Sequence, residues 1–393
     1  MSSMISNISE DVLMEILCKL PVKFIIQCKC VCKPWRTLVT TTRFVKFHLS
    51  QANKKSPNLL LASSFHKNFY SLDCETCDEC VRLNLDMPPL NRISIVGSCN
   101  GLVCLSDDKS YVLLWNPSTR EHVIVHYDHL GSSDYRGDRI NNNERSTAVM
   151  GFGYDSFTED YKLVKIEYFY DVYGFGTMTE FDRCEVRVST LGTNSWRLID
   201  DTPSPPCYIG NLFRVAHVNG VLYWVGLRGI GIELSKSIIS FDLRTEKFGE
   251  VSWPEFEDHS YRDLGLGVLR GSLCVFSYHL EHVDIWVKMD YGLEESWSWT
   301  RQFFIARSTK YLEPLVLLKN GEILLQMGYR SLLVYNPRNE TVTVPNVRGI
   351  PDRFRTSTYV ESLTSVASLM GMAGNCVVAT ISKGEKNEVA GNI

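Results

Sequence analysis

The stretch VNGVLYWVG at 218–226, followed by SIISFDLRTEKFGEV at 237–251, decides how most of this chain folds. Asn-Gly between apolar runs predicts a tight hairpin, because both central positions of the favoured turn need positive φ. The second run predicts another hairpin: an apolar strand, an acidic or amide side chain, a polar turn and a returning strand. The same pair recurs as CNGLVCL (99–105) with VLLWNPSTREHVIV (112–125) and as KNGEILLQ (319–326) with SLLVYNPRNETVTV (331–344), while RGSLCVF (270–276) is followed by a looser second half, VDIWVKMDYGLEESWSWTR (283–301). EVRVSTLGTNSWRLI (185–199) is a looser version of the second half. Gly101, Gly220, Gly271 and Gly321 are separated by 119, 51 and 50 residues, so the first gap holds two periods plus an insertion, which the polar stretch 128–149 can supply. A period near 50 with about four strands is the pattern of a propeller blade, and residues 51–365 accommodate about six. A propeller leaves no open edge only when it closes, so strands near Tyr359–Val366 are expected to pair with Leu59–Ala62.

Upstream of residue 50 the period is helical. Ser9 can cap a helix whose first turn carries Glu10 and Asp11, and Val12, Leu13, Ile16, Leu17 and Leu20 recur at helical spacing. Pro21 ends that helix and can open a second through Val22, Phe24, Ile25, Ile26 and Cys28, and Pro34 can open a third carrying Trp35, Leu38 and Val39. Three short helices cannot bury all these apolar groups among themselves, so part of the surface is expected to face a partner. Charge divides at the same place: residues 1–50 hold seven Lys/Arg against three acids, net +4, and the remainder is net −8.

The stretch ISEDVLMEILCKLPVKFIIQCKCVCKPWRTLV resembles an F-box through Asp11-Val12, Ile16-Leu17, Leu20-Pro21-Val22-Lys23, Cys30-Val31-Cys32-Lys33, Trp35 and Leu38. Ile8-Ser9 replaces the usual Leu-Pro, and Gln27 stands where a basic residue is common. The resemblance implies docking on a Skp-type adaptor, and through it on a cullin scaffold, by Ile8, Leu13, Ile16, Leu17, Leu20, Pro21, Val31, Cys32, Trp35 and Leu38. An apolar helical patch rimmed by Lys and Arg also suits an acidic partner on physical grounds. GSCNGLVCL, WNPSTRE, GFGYDSFTEDYKLV and NSWR resemble the F-box-associated, kelch-like domain of plant F-box proteins, without the Gly-Gly doublets of true kelch repeats. YVESLTSV at 359–366 resembles the way such domains end.

The expected architecture is therefore a small all-α F-box of three short helices (1–50), a mainly β, propeller-like domain of about six blades (51–383) and a polar tail (384–393). The resemblance implies the substrate-recognition subunit of a Skp–cullin–F-box ubiquitin ligase, which recruits a target protein for ubiquitination and proteasomal degradation and catalyses nothing itself. Its location would be the cytoplasm, the nucleus or both. Within plants the likeness extends both to F-box proteins that limit immune receptors and to those of self-incompatibility. The alternatives are a propeller-fold enzyme and a stand-alone interaction module with a vestigial F-box. Target contacts are expected from loops of one propeller face, with 128–149 and 170–184 as candidates.

Other chemistry is sparse. Apolar residues make up 44% of 393, which excludes a disordered chain, and the net charge of −4 argues against nucleic-acid binding through overall positive charge. Cys74-x-x-Cys77-x-x-Cys80 has zinc-like spacing, but no second pair completes a site, so a Cys-rich surface hairpin within the first blade is expected. Cys28, Cys30 and Cys32 read as packing residues, His122, His126 and His129 as solvated strand and loop histidines, and Trp253 as core or rim. No phosphate loop, dinucleotide fingerprint or nucleophile elbow is present, and no cofactor is expected. The N-terminus lacks the pattern of a secretory signal, so the 13 cysteines are expected to be reduced and mostly buried. Ser362–Ser382 carries no charge over 21 residues, yet its seven Ser, Thr and Asn residues predict a pair of core strands rather than a membrane anchor.

Overall fold

The computed structural model describes residues 9–63, 68–85, 93–107, 111–126, 144–173, 177–193, 195–203, 208–209, 215–228, 235–256, 263–290, 297–306 and 312–370. Helices α1 (Glu10–Leu17), α2 (Val22–Cys28), α3 (Lys33–Thr40) and α4 (Thr42–Ala52) come first. The Ser9 hydroxyl accepts from the Val12 amide at 3.4 Å, Pro21 immediately precedes α2, and Pro34 lies in the first turn of α3. The fourth helix is not among the three expected and is capped by Thr41, whose hydroxyl accepts from the Phe44 amide at 3.2 Å.

Six antiparallel sheets follow, and they are the blades of a propeller. Blade 2 (Ser94–Cys99, Leu102–Ser106, Tyr111–Trp115, His122–His126) shows the plan, with strands in chain order from the axis outward. Blade 3 begins with Glu144–Asp155, blade 4 with Tyr208–Ile209 and Ala216–Val218, which both pair with Val221–Arg228, blade 5 with Asp263–Leu269 and blade 6 with Leu312–Leu317. The innermost strands neighbour one another in that order round the ring. Apolar residues alternate to both sides of each sheet, so the core is a series of layers between adjacent blades. Trp115 and Trp224 are fully buried in these layers, whereas Trp253 packs at one margin and donates its ring N–H to the Lys236 carbonyl at 2.8 Å.

The recurring Asn-Gly stretches are the turns between the first and second strands of a blade. Asn100-Gly101 and Asn219-Gly220 have φ of +51°, +81°, +50° and +80°. Blade 3, hidden in the first gap, uses a different turn: the Asp155 carboxylate accepts from the Phe157 amide at 2.9 Å, and Glu159 adopts φ +60°. The same device, an Asp or Asn side chain bonded two residues ahead, closes the outer hairpins at Asn116, Asp242 and Asn336.

Closure occurs earlier in the chain than expected. Phe354–Tyr359 supplies the inner strand of blade 1 and pairs antiparallel with Asn58–Ser63, from Asn58 opposite Tyr359 to Ser63 opposite Phe354. Tyr359 is thus the last residue of the closing strand rather than the first. The strand pair expected after it is corrected too: Val366–Met370 is a short helix, α5, and the part of the uncharged segment beyond residue 370 lies outside the described residues. Val366 and Met370 fill the core layer between blades 2 and 3, which a helical turn reaches without an open sheet edge. No helix among the described residues is long and apolar enough to cross a membrane.

Candidate functional site

The helices bury one face in their own core of Met14, Leu17, Val22, Ile25, Leu38, Val39 and Phe44. The opposite face keeps apolar groups in solvent: Val12 is 50% exposed, Ile16 51%, Phe24 49% and Val31 58%. Val12 and Ile16 lie four residues apart, on one side of α1. Exposed Lys19, Lys23, Lys33, Arg36 and Arg43 surround these positions in the sequence, and only Arg43 has an acidic partner within the helices, Asp11 at 3.1 Å.

The expected docking residues divide by burial. Ile16, Pro21, Val31 and Cys32 are exposed, Leu13, Leu20 and Trp35 are half-buried against the helical core, and Leu17 and Leu38 are interior, supporting the surface from beneath. Ile8 lies outside the described residues. Val12 and Phe24 join the exposed set; the helical repeat of Val12 with Ile16 was the available signal, and Phe24 was indistinguishable from core on period alone. Cys30 and Cys32 are exposed rather than packed, because they flank the turn between α2 and α3, while Cys28 is buried.

The helices are seated on the propeller by the segment that follows the closing strand. Leu363 enters the helical core, the Glu361 carboxylate accepts from the Val22 amide at the start of α2 at 3.3 Å, and Lys46 pairs with Glu159 of the blade 3 turn. The same segment is held from below by Asn116, whose side-chain amide donates to the carbonyls of Ser362 and Thr364 at 3.1 and 2.8 Å. Its oxygen accepts from the amides of Ser118 and Thr119 at 2.9 and 3.3 Å. The motifs NGLVCL and WNPSTRE therefore form the cradle of residues 361–365. A Cβ on Gly101 would lie 2.2 Å from the Ser362 hydroxyl oxygen, so this position needs glycine for space as well as for its positive φ.

Strand alternation decides which loops share an end. Turns between strands 1 and 2 and between strands 3 and 4 lie at the end that carries the helices, and turns between strands 2 and 3 lie at the other. His279–Glu281 of blade 5 and Gly328–Arg330 of blade 6 are at that far end, where Leu280, Phe304 and Tyr329 leave large apolar surface in water. His126 and Glu144 bring the chain to the same end on either side of the candidate loop 128–149, most of which lies outside the described residues. Of the second candidate, 170–184, the described residues are paired strand rather than loop, in Asp160–Tyr173 and Thr177–Thr190, and 174–176 lie outside the described residues.

Cys74, Cys77 and Cys80 pack in the apolar layer between blades 1 and 6. This corrects the expected surface hairpin: burial in that layer pushes all three thiols up, Cys77 and Cys80 to about 11. His122 is buried rather than solvated, His126 is exposed with its ring edge-on to Tyr111, and His129 lies outside the described residues.

Comparison with known proteins agrees with this geometry. A family described as the F-box associated beta propeller domain matches residues 59–363, and the F-box domain family matches residues 5–47. "F-box protein CPR1" of Arabidopsis thaliana is 27% identical over 375 residues, covering 91% of this chain and 89% of that protein. "F-box protein At3g07870" of the same plant is 28% identical over 404 residues, covering 92% of each, and "F-box/kelch-repeat protein At3g23880" is 26% identical over 372 residues, covering 91% and 96%.

Proposed function

We propose, for a chain that belongs to the plant F-box proteins with an F-box-associated β-propeller, the role of substrate receptor in a Skp–cullin–F-box ubiquitin ligase. The observation that carries the proposal is the exposed apolar set Val12, Ile16, Phe24 and Val31 on folded, basic-rimmed helices. Surface of this kind is costly to leave in water and is expected where a partner covers it. An acidic, apolar-cored Skp-type adaptor fits it in charge and character.

The receptor acts by position. Leu363, Glu361 and Lys46 fix the helices on one end of the propeller, so a target held at the far end keeps a set distance and orientation relative to the scaffold. This raises the effective concentration of target lysines around a ubiquitin thioester carried by another subunit. The chain supplies no bond chemistry in this scheme. Degradation of the target in the cytoplasm or nucleus follows from the same reading. Defence and self-incompatibility are the two processes the sequence likeness suggests, and the far end of the propeller is where the target specificity that separates them would reside.

The test is association of the purified chain with a Skp-type adaptor, compared with Ile16→Asp/Val31→Asp. Both side chains are exposed, so the double variant keeps the wild-type melting temperature and loses adaptor binding by roughly 100-fold or more, the cost of placing two carboxylates in a desolvated interface. A folded wild-type chain that binds no adaptor refutes the receptor role and returns the propeller to an independent interaction or enzymatic function.

A further inference from the structure

At the far end of blade 5 the strands Ser272–Tyr278 and His282–Asp290 are joined by a tight turn, in which the His279 amide donates to the His282 carbonyl at 2.9 Å. The turn belongs to the sequence HLEHVD, 279–284. It places the Nε2 atoms of His279 and His282 each 3.6 Å from the same oxygen, Oδ2 of Asp284. These separations are too long for hydrogen bonds. They are close to the distance between two ligands of one tetrahedral ion, about 3.3–3.4 Å for bonds of about 2.0–2.1 Å. The two imidazoles are nearly parallel, 4.1 Å between centroids, so both present a nitrogen towards Asp284.

The carboxylate is unusually placed. Asp284 is 4% exposed, and its second oxygen, Oδ1, meets no hydrogen-bond donor. A buried carboxylate is costly without close charge compensation. Among the described residues its nearest Lys or Arg is Arg301, 3.8 Å away, half in solvent and lying 6.0 Å over the Trp286 ring. His282 stacks on exposed Phe304 and keeps part of its edge in water, leaving an approach to the cluster from outside. Among the described residues this is the one group of three His, Cys, Asp or Glu side chains whose ligand atoms converge.

We propose that His279, His282 and Asp284 form a binding site for a divalent transition-metal ion of the zinc type. Two imidazoles and one carboxylate are a suitable donor set for zinc, and three protein ligands leave one coordination position for water or for a donor from another molecule. The ion would bring positive charge closer to Asp284 than the half-exposed Arg301 guanidinium at 3.8 Å does. The site stands independently of the receptor reading. If that reading holds, the open position faces the target end, where a histidine, carboxylate or thiolate of a target could complete the coordination.

The experiment is titration of the chelator-treated full chain with cobalt(II), followed by visible absorption, then competition with zinc. Saturation at one equivalent, with visible bands but no thiolate charge-transfer band, and displacement by zinc are expected. His282→Ala and Asp284→Asn should each weaken binding by roughly 100-fold, whereas His126→Ala at an exposed site elsewhere leaves it unchanged. Absence of saturable binding overturns the proposal. So does a thiolate band, which moves the ion to Cys74, Cys77 and Cys80 and is read on the wild-type chain alone, whatever the variants do to folding. Unchanged affinity in both folded variants also overturns it.

Discussion

Replacing Asn116 with alanine should release the segment that seats the helices. The side chain is fully buried, and its amide nitrogen bonds to Ser362 O at 3.1 Å, Ser362 Oγ at 3.3 Å and Thr364 O at 2.8 Å. Alanine removes these donors and leaves two buried carbonyls without them. At about 1–3 kcal/mol for each unsatisfied group, the segment loses on the order of 3 kcal/mol against opening. The loss is local, because Phe354–Tyr359 retains its ladder with Asn58–Ser63. Native-state hydrogen exchange by mass spectrometry reads such openings directly. Amides of 361–369 should exchange roughly 100-fold faster, which is 3 kcal/mol at about 1.4 kcal/mol per decade, while the strands of blades 4 and 5 keep wild-type rates. Asn116→Asp should be no milder, since it sets a carboxylate against the same two carbonyls. Exchange in 361–369 within about fivefold of wild type in a folded Asn116→Ala protein would refute the reasoning, because it would mean that the segment is held by something other than this side chain.

Among the cysteines in the described residues, only Cys30 and Cys32 are exposed, so an aromatic disulfide reagent should label those two rapidly in the native chain and the buried eight only on unfolding; early modification of Cys104 or Cys274 would contradict the packing. Burial lowers the pKa of His48 and His217 below 6.5, the latter also accepting from the Tyr154 amide at 3.3 Å. Both are therefore neutral in the fold and protonate on unfolding, so the stability they contribute is present above about pH 6.5 and drains as pH falls below it, by at most about 1.4 kcal/mol per pH unit for each. The gap in urea midpoint between wild type and His217→Gln should accordingly narrow from pH 7.5 to pH 5.5, and a gap that widens on acidification would reverse the assignment.

The period-50 turns were legible because a type of turn that demands positive φ leaves Asn-Gly in the sequence, as at Asn100-Gly101 and Asn219-Gly220. Blade 3 was not, because Asp155 makes its turn with a side-chain bond that any Asp-rich loop could suggest. The helical motif was legible through Ser9, Pro21 and Pro34, yet period alone could not tell Leu17, which is interior, from Ile16, which is not. That distinction depends on what packs against each side of α1. The end of the chain misled for a similar reason: an uncharged run rich in Val, Ala and Met suits a strand or a buried helix equally, and only the space between blades 2 and 3 selects the helix at Val366. The His279–His282–Asp284 group was not legible in the sequence because its side chains straddle a hairpin turn and converge only once Ser277 and Asp284 lie opposite each other in the ladder.

Blade 1 is assembled from residues that the ribosome makes far apart in time. Asn58 and Tyr359 are register partners, and at about 5–20 residues per second the second follows the first by roughly 15 to 60 seconds. Throughout that interval the inner edge of Asn58–Ser63 waits without its partner, open to pairing with another nascent chain on the same message. The helical module emerges first but cannot take its seat, since Glu361 and Leu363 are made after the closing strand. A chain interrupted before residue 354 therefore has neither a closed ring nor seated helices.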